Sequence, residues 1–250
     1  MMWSLLLTVA AFVAHAHAHG RVFAPPSRAS AWRFGFPTTP DYDDDGVNCG
    51  GFSMQWSVNG GKCGICGDAY NIPPPRPHEL GGMYGQGVIV EHYTPGATFT
   101  TTVDLTTSHR GFWEFKLCPD PENNEQECFD QHLLELENGD TKYYPNRGSA
   151  KYNVTYRLPQ GLVCEHCVLQ WRYTAGNNWG DCKNGTQGLG CGNQEQFGAC
   201  SDISIGVVRD TDTNEVKSYD DLPYSLLYYL KHGYFDTQGE NNVAEGNSLE

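Results

Sequence analysis

One stretch of the chain, Phe112-Trp-Glu-Phe-Lys-Leu-Cys118, alternates bulky apolar side chains with polar ones. Trp113, Phe115 and Leu117 fall on one side of an extended backbone, which is the pattern of a half-buried β-strand. Similar alternation recurs at residues 99–106, 151–158, 168–173 and 201–208. Glycine and proline interrupt nearly every candidate helical window before residue 220. The sequence therefore predicts an all-β chain folded as an antiparallel β-sandwich.

The first eighteen residues are predicted to be a signal peptide, because an apolar stretch at Leu5–Val13 precedes small residues at alternate positions. We therefore expect a secreted, extracellular protein. A single domain would then run from residue 19 to residue 207, and residues 208–250 form an acidic tail that is expected to be disordered. Sequons at Asn153 and Asn184 fit export and predict glycosylated surface loops.

The segment Gly20–Pro77 is predicted to be mostly loop, because it holds several prolines and the acidic run Asp41–Asp45. Long loops on a β scaffold are usually where function lies. Ten cysteines, an even number in an exported chain, predict up to five disulfides that would hold such loops. The pairing stays open, although Cys118 and Cys128 are close enough to pair across one loop. The cysteines are Cys49, Cys63, Cys66, Cys118, Cys128, Cys164, Cys167, Cys182, Cys191 and Cys200.

Two Cys-x-x-Cys pairs, at Cys63–Cys66 and Cys164–Cys167, allow two other interpretations. A zinc ribbon would need the pairs closer together in the chain, and a thioredoxin-like site would need a βαβ unit around one of them. Neither context is visible in the sequence. Structural disulfides are therefore the favoured interpretation.

Acidic side chains outnumber basic ones by 30 to 16, which gives a formal net charge of -14. Such a charge disfavours binding to nucleic acid or to an anionic membrane surface, because both carry negative charge themselves. Neutral polymers such as polysaccharides remain compatible partners.

Three histidines, His15, His17 and His19, lie at the predicted cleavage site. A cut after Ala16 would make His17 the first residue, and a cut after Ala18 would make His19 the first. An N-terminal histidine offers both its amine and its imidazole to one metal ion. One further imidazole completes three nitrogens in a plane, a set that suits copper better than zinc or magnesium.

His109 is the best candidate for that further imidazole, because it lies between two strongly alternating segments where a turn would present it. An exposed hairpin histidine is the plain alternative. If the cut falls after Ala16, His19 would be third in the chain and could bind Cu(II) adventitiously without any fold. The remaining histidines are interpreted as solvated or locally hydrogen-bonded: His78, His92, His132, His166 and His232.

Several blocks of sequence also occur in a specific order. These blocks are His19-Gly-Arg-Val, Trp32-Arg-Phe-Gly, Gly61-Lys-Cys-Gly-Ile-Cys-Gly-Asp68, Phe115-Lys-Leu-Cys-Pro119, Gly176-Asn-Asn-Trp-Gly180 and Gln194-Glu-Gln-Phe197. Through them, most of the segment 19–207 resembles lytic polysaccharide monooxygenases of auxiliary activity family fifteen. So many blocks in order are far more specific than any one motif.

The resemblance implies an immunoglobulin-like β-sandwich with long disulfide-tied loops and one copper ion that cycles between Cu(II) and Cu(I). It assigns the amine and imidazole of His19 and the imidazole of His109 as the copper ligands. Phe197 falls near the axial direction, and Glu195 or Gln196 near the oxygen-binding position. Strand alternation places Glu195 on the same face as Phe197, which favours Glu195.

The activity that the resemblance implies is oxidative cleavage of crystalline chitin, with cellulose as the close alternative, by a copper monooxygenase domain at residues 19–207. It requires an external reductant and dioxygen or hydrogen peroxide, and we expect a monomer. Tyr70, Tyr84 and Trp179 are candidates for stacking on sugar rings. Thr107 departs from the alanine that is common in relatives, but it removes no ligand.

Two hypotheses compete with this activity. A non-catalytic chitin- or cellulose-binding module would use the same sandwich, but it has no need of an N-terminal histidine. A secreted structural protein would explain the disulfides and the acidic tail, but it leaves the ordered blocks unexplained.

Overall fold

The computed structural model describes residues 19–123 and 125–206, so the predicted signal peptide and acidic tail lie outside the described residues. Within the described residues, helical structure is limited to short turns: a 3₁₀ turn at Ala31–Phe34, a π-helical turn at Met54–Val58 and α1 at Gln126–Asp130. The strands are β1 (His19–Ala24), β2 (Glu91–Tyr93), β3 (Thr98–Thr107), β4 (Phe112–Cys118), β5 (Glu135–Leu136), β6 (Ala150–Arg157), β7 (Cys164–Thr174), β8 (Trp179–Asp181), β9 (Gln187–Leu189) and β10 (Gln196–Ile205).

Eight of these strands form two four-stranded sheets, with the orders β1-β3-β6-β5 and β2-β10-β7-β4, and β8 pairs with β9 as a separate hairpin. The predicted all-β sandwich is confirmed. Its strands are antiparallel with one exception, because the short edge strand β2 runs parallel to β10, with Ile203 opposite Glu91.

The two sheets bury one continuous apolar core between them. Trp113, Phe115 and Leu117 of β4 are fully buried, as their alternation predicted. Tyr152 of β6 meets Trp113 edge to face at 5.5 Å between ring centroids, so aromatic packing joins the sheets across the core.

The prediction that the chain is mostly loop from Gly20 onward is wrong for its first residues, since β1 pairs with β3 there. Register shifts occur between His19 and Arg21 and between Val22 and Ala24. Each such bulge breaks the two-residue period by which a strand is recognised in sequence. After β1 the segment is indeed loop, apart from its two short helical turns.

All ten cysteines lie in the described ranges and all are disulfide-bonded, as predicted. The longest link, Cys66–Cys200, spans 134 residues and ties the long N-terminal loop to the core strand β10. The five pairs are Cys49–Cys63, Cys66–Cys200, Cys118–Cys128, Cys164–Cys167 and Cys182–Cys191.

Both sequon asparagines are exposed, but only one of them is in a loop. Asn184 lies in the turn between β8 and β9, whereas Asn153 lies within β6, which corrects the predicted loop position. Asn153 Oδ1 accepts a hydrogen bond from Thr102 Oγ1 at 2.9 Å on the outer face of the sheet. Among the described residues, no helix has the length and apolar character that crossing a bilayer requires.

Candidate metal centre

Strand β1 begins at His19, and its Cα is paired with that of Thr107 at the end of β3. The backbone N–H of Gly20 donates to the carbonyl oxygen of Asp45 at 2.9 Å. A side chain at position 20 would not fit, because a Cβ there would lie 2.7 Å from Cδ2 of Leu105. The start of the strand is therefore held in close contact with β3 and with the acidic loop.

Arg21 fastens this strand on two sides. Its guanidinium contacts Asp44 of the acidic loop at 2.8 Å and Asp104 of β3 at 3.1 Å. Arg33 also contacts Asp44, at 2.5 Å, and the Asp44 side chain is fully buried. A buried carboxylate requires such charged partners, so the acidic loop, β1 and β3 are fixed relative to one another.

His109 lies in the turn between β3 and β4 and is 8% exposed. The turn passes through the left-handed region at Arg110 and Gly111, with φ of 59° and 75°. Position 111 also has no room for a Cβ, which would lie 2.0 Å from the carbonyl oxygen of Thr174. The sequence Arg-Gly after His109 therefore permits a tight turn packed directly on β7.

Groups at and just after the end of β7 hold His109 in place. The Tyr173 hydroxyl accepts from the His109 backbone N–H at 3.1 Å and donates to the Arg110 carbonyl at 2.5 Å. The Gly176 N–H donates to the His109 carbonyl at 2.8 Å. The side-chain amide of Asn177 lies 2.9 Å from Nδ1 of the His109 ring. Both the backbone and the imidazole of His109 are thus fixed by residues distant in sequence.

Phe197 is more deeply buried than His109 and lies next to Tyr173. It is fully buried, it is paired in register with Tyr173, and its ring centroid is 5.9 Å from that of Tyr173. Burial raises the pKa of Tyr173 to about 12, so its hydroxyl keeps its proton at neutral pH and can donate to Arg110. Phe197 therefore supports the tyrosine that holds His109.

Glu195 and Gln196, the two candidates for a polar group near the oxygen-binding position, face different neighbours. Gln196 Oε1 accepts from Gln55 at 2.9 Å, under the π-helical turn. Glu195 is 8% exposed, its side chain accepts from Asn48 at 3.3 Å, and its carbonyl accepts from Ala175 at 2.9 Å. Ala175 begins the loop that contacts His109, so the backbone of Glu195 is tied to that loop, and the choice between the two side chains stays a prediction.

The candidate donor set is made of nitrogen atoms. The disulfides leave no thiolate, and within residues 19–123 and 125–206 no group of three or more His, Cys, Asp or Glu side chains is arranged to hold a metal. Two imidazoles together with an N-terminal amine form a set of nitrogen ligands that suits copper better than zinc or magnesium.

Three of the histidines that were predicted not to be ligands are hydrogen-bonded locally. His78 lies between two aspartates, His92 contacts a serine hydroxyl, and His166 contacts the Asp202 carboxylate at 2.8 Å. His232 lies outside the described residues.

The β8–β9 hairpin follows directly from the loop that contacts His109. Trp179 at its base is 68% exposed and is paired with Leu189, which is 49% exposed. The two other aromatic candidates have neighbours against their rings: cations lie 5.1 and 4.9 Å from the Tyr70 ring centroid, although Tyr70 is 40% exposed, and Tyr84 stacks on His78 at 4.8 Å. Trp179 is the most exposed of the three candidates.

A family model described as "Lytic polysaccharide mono-oxygenase, cellulose-degrading" matches residues 19–203, and its match starts at His19. The chain belongs to the lytic polysaccharide monooxygenase family. It is a copper-dependent oxidoreductase, as the sequence predicted.

A solved lytic polysaccharide monooxygenase of family AA15, from Thermobia domestica in the Cu(I) state, is 50% identical to the chain, with a TM-score of 0.73. The match covers 75% of this chain and 98% of that one. An AA10 lytic polysaccharide monooxygenase from Streptomyces lividans is 16% identical, with a TM-score of 0.46 over 74% of this chain and 99% of that one, values too low to bear on function. A comparison with curated proteins gives no match.

Proposed function

We propose that the mature protein is a secreted lytic polysaccharide monooxygenase that begins at His19 and cleaves crystalline chitin. One copper ion would be held by the amine and imidazole of His19 and by the imidazole of His109, in a catalytic domain at residues 19–207 that precedes the acidic tail. The observation that carries the proposal is the pairing of His19 with Thr107, two residues before His109. Signal-peptide cleavage after Ala18 would free the required amine at that point.

When bound and reduced by an external donor, copper supplies one-electron chemistry with dioxygen or hydrogen peroxide that can oxidise a C–H bond of the sugar. His19 and His109 would hold it at the end of the sandwich. Phe197, packed against Tyr173, would supply an apolar side chain rather than an oxygen ligand near the bound copper. Glu195 would provide the hydrogen-bonding group near the oxygen co-substrate. Together these residues would hold the copper and orient the reacting partners.

Two observations bear on the substrate: the first is compatible with any neutral polysaccharide, and the second favours chitin. A neutral polymer is compatible with the net charge of -14. The sequence resemblance is to an animal-type group of the family. Cellulose is the second candidate, because the matching family model is described as cellulose-degrading. We further propose that the enzyme acts as a monomer and that Asn153 and Asn184, both exposed, are glycosylated on export.

The experiment that tests this function starts with expression under the chain's own signal peptide. Intact-mass and N-terminal analysis should show a mature chain that begins at His19. Incubation with chitin or cellulose, ascorbate and oxygen, followed by mass spectrometry, should release oxidised oligosaccharides from chitin. A start at His17, or copper binding with no oxidised product from either polymer, would contradict the proposal. Oxidised products from cellulose alone would move the substrate to the second candidate.

Substituting Trp179 with alanine should weaken binding to chitin roughly tenfold, because burial of one indole face against a sugar ring is worth about 1–1.5 kcal/mol. The ring is exposed and close in sequence to Asn177, which contacts His109. Pull-down isotherms on chitin, measured with the copper-loaded protein, give the affinity.

Tyr70→Ala is the matched comparison, because Lys62 and Arg76 lie against the Tyr70 ring and Tyr70 is less exposed than Trp179, 40% against 68%. We expect that variant to bind as the wild type does, provided that its circular dichroism spectrum is unchanged. Equal chitin affinities for the wild type and Trp179→Ala would show that Trp179 does not contribute to substrate binding.

A further inference from the structure

The imidazole of His109 has a dedicated contact that the proposed ligand set does not include. The side-chain amide of Asn177 lies 2.9 Å from Nδ1 of His109. A ring nitrogen engaged by an amide in this way cannot also bind a metal. Nε2 is then the atom of His109 that would serve as the ligand.

We infer that Asn177 is a positioning residue that sets the tautomer and ring orientation of His109 for metal binding through Nε2. This inference rests on the proposed function. A neutral imidazole binds a metal through the nitrogen that lacks a proton, so the proton must sit on Nδ1. In the structure the amide nitrogen of Asn177 faces Nδ1, and a rotation of the amide group by about 180° brings its oxygen to the same place. With the oxygen facing the ring, Nδ1–H donates to Asn177 and Nε2 keeps its lone pair.

The loop that carries Asn177 is built to keep this contact in place. Gly176 donates to the His109 carbonyl at 2.8 Å, and a Cβ on Gly176 would lie 2.8 Å from the backbone nitrogen of Gly111. Asn178 is fixed at its backbone by Gln194, which accepts from its N–H at 3.0 Å and donates to its carbonyl at 3.1 Å. Asn177 is therefore held from both sides, although it is itself exposed.

Mutation of a residue that hydrogen-bonds to a metal-ligating histidine typically lowers metal affinity by 10- to 100-fold. The His109 backbone is already fixed by Tyr173 and Gly176, so the amide acts on the ring alone. We place the expected effect at the lower end, about tenfold, because the contact is partly open to solvent and a water molecule can replace part of it.

The test compares Asn177→Ala, Asn177→Asp and Asn178→Ala in the full mature chain. Asn178 is a matched control, since it is the adjacent asparagine and Gln194 contacts its backbone, which the substitution keeps. Ring nitrogen chemical shifts of ¹⁵N-labelled, metal-free protein report the tautomer of His109. Calorimetric titration with Cu(II) reports affinity.

In the wild type and in Asn178→Ala, the His109 ring should be protonated on Nδ1. Asn177→Ala should give a mixture of tautomers and about tenfold weaker copper binding, and Asn177→Asp should restore the single tautomer, because a carboxylate oxygen also accepts from Nδ1–H. An unchanged tautomer in Asn177→Ala, or an equal loss of affinity in Asn178→Ala, would overturn the inference. If the tautomers behave as expected and no variant binds copper, the proposed function fails while the positioning role stands.

Discussion

Replacing His109 with alanine should weaken Cu(II) binding by more than about 100-fold and abolish the release of oxidised products from chitin. Loss of a metal ligand lowers metal affinity more than loss of a residue that only hydrogen-bonds to a ligand. The variant loses one of three proposed nitrogens, and the two that remain belong to a single residue, His19. Calorimetric titration measures the affinity, and mass spectrometry of the soluble fraction measures the products. The fold should persist, since Tyr173 and Gly176 contact only the backbone of residue 109.

His132→Ala is the control, because His132 lies just beyond α1, at the far end of β4 from His109. A second arm adds one alanine before His19, which keeps both imidazoles and moves the free amine away by one residue. We expect that extension to weaken copper binding as His109→Ala does. Wild-type affinity in either the His109 variant or the extended chain would rule out the three-nitrogen site.

The sequence predicted the strands that obey a strict two-residue period and missed those that do not. Residues 112–118 were predicted with the bounds that β4 has in the structure. Strand β1 was not predicted, because its two register shifts hide the alternation. The β8–β9 hairpin was also missed: it is short and exposed, and a disulfide holds it, so no apolar pattern marks it.

The residues of the candidate site also include some that the sequence predicted and others that it did not. His19 and His109 were predicted as ligands from the cleavage site and from a position between two strands, and both stay predictions. Tyr173 and Asn177 could not be predicted, because their role depends on the end of β7 packing against a turn more than 60 residues earlier. The block that contains Asn177 was noted as a motif, but only the fold shows what its side chain contacts.

His78 is a further residue whose role was only partly predicted from the sequence. It was predicted to be solvated or locally hydrogen-bonded rather than a ligand, but its burial between two carboxylates was not predicted. Its Nδ1 lies 2.8 Å from Asp68 and its Nε2 lies 3.0 Å from Asp41, and the ring is almost completely buried. Burial by itself lowers the pKa of His78, but the two aspartates outweigh it and raise that pKa to about 9. Asp41 is the first residue of the acidic run Asp41–Asp45, and the carbonyl oxygen of Asp45 accepts from the Gly20 N–H. The contacts of His78 with Asp41 and Asp68 therefore stabilise the loop beside His19.

Raising the pH from 6 to 9.5 should therefore cost the native state up to about 3 kcal/mol through His78. Its folded pKa is above the unfolded value near 6.5, so the native state binds one more proton in between. The stabilisation is complete below pH 6.5 and is lost as the pH rises through about 9. Urea unfolding followed by tryptophan fluorescence, with the disulfides intact, measures this free energy at each pH.

His78→Gln isolates the effect, because glutamine has no proton to lose in this range. Its free energy of unfolding should fall by about 3 kcal/mol less than that of the wild type between pH 6 and 9.5, whereas His132→Gln should follow the wild type. Partial burial raises the pKa of Asp41, but the hydrogen bond from His78 outweighs it and lowers that pKa below its usual value, so Asp41 does not contribute to the difference. Partial burial and the nearby carboxylates raise the pKa of Tyr84 above its usual value near 10, which places its titration beyond the range. An equal alkaline loss in His78→Gln would show that the Asp41–His78–Asp68 contacts do not control the stability of the loop beside His19.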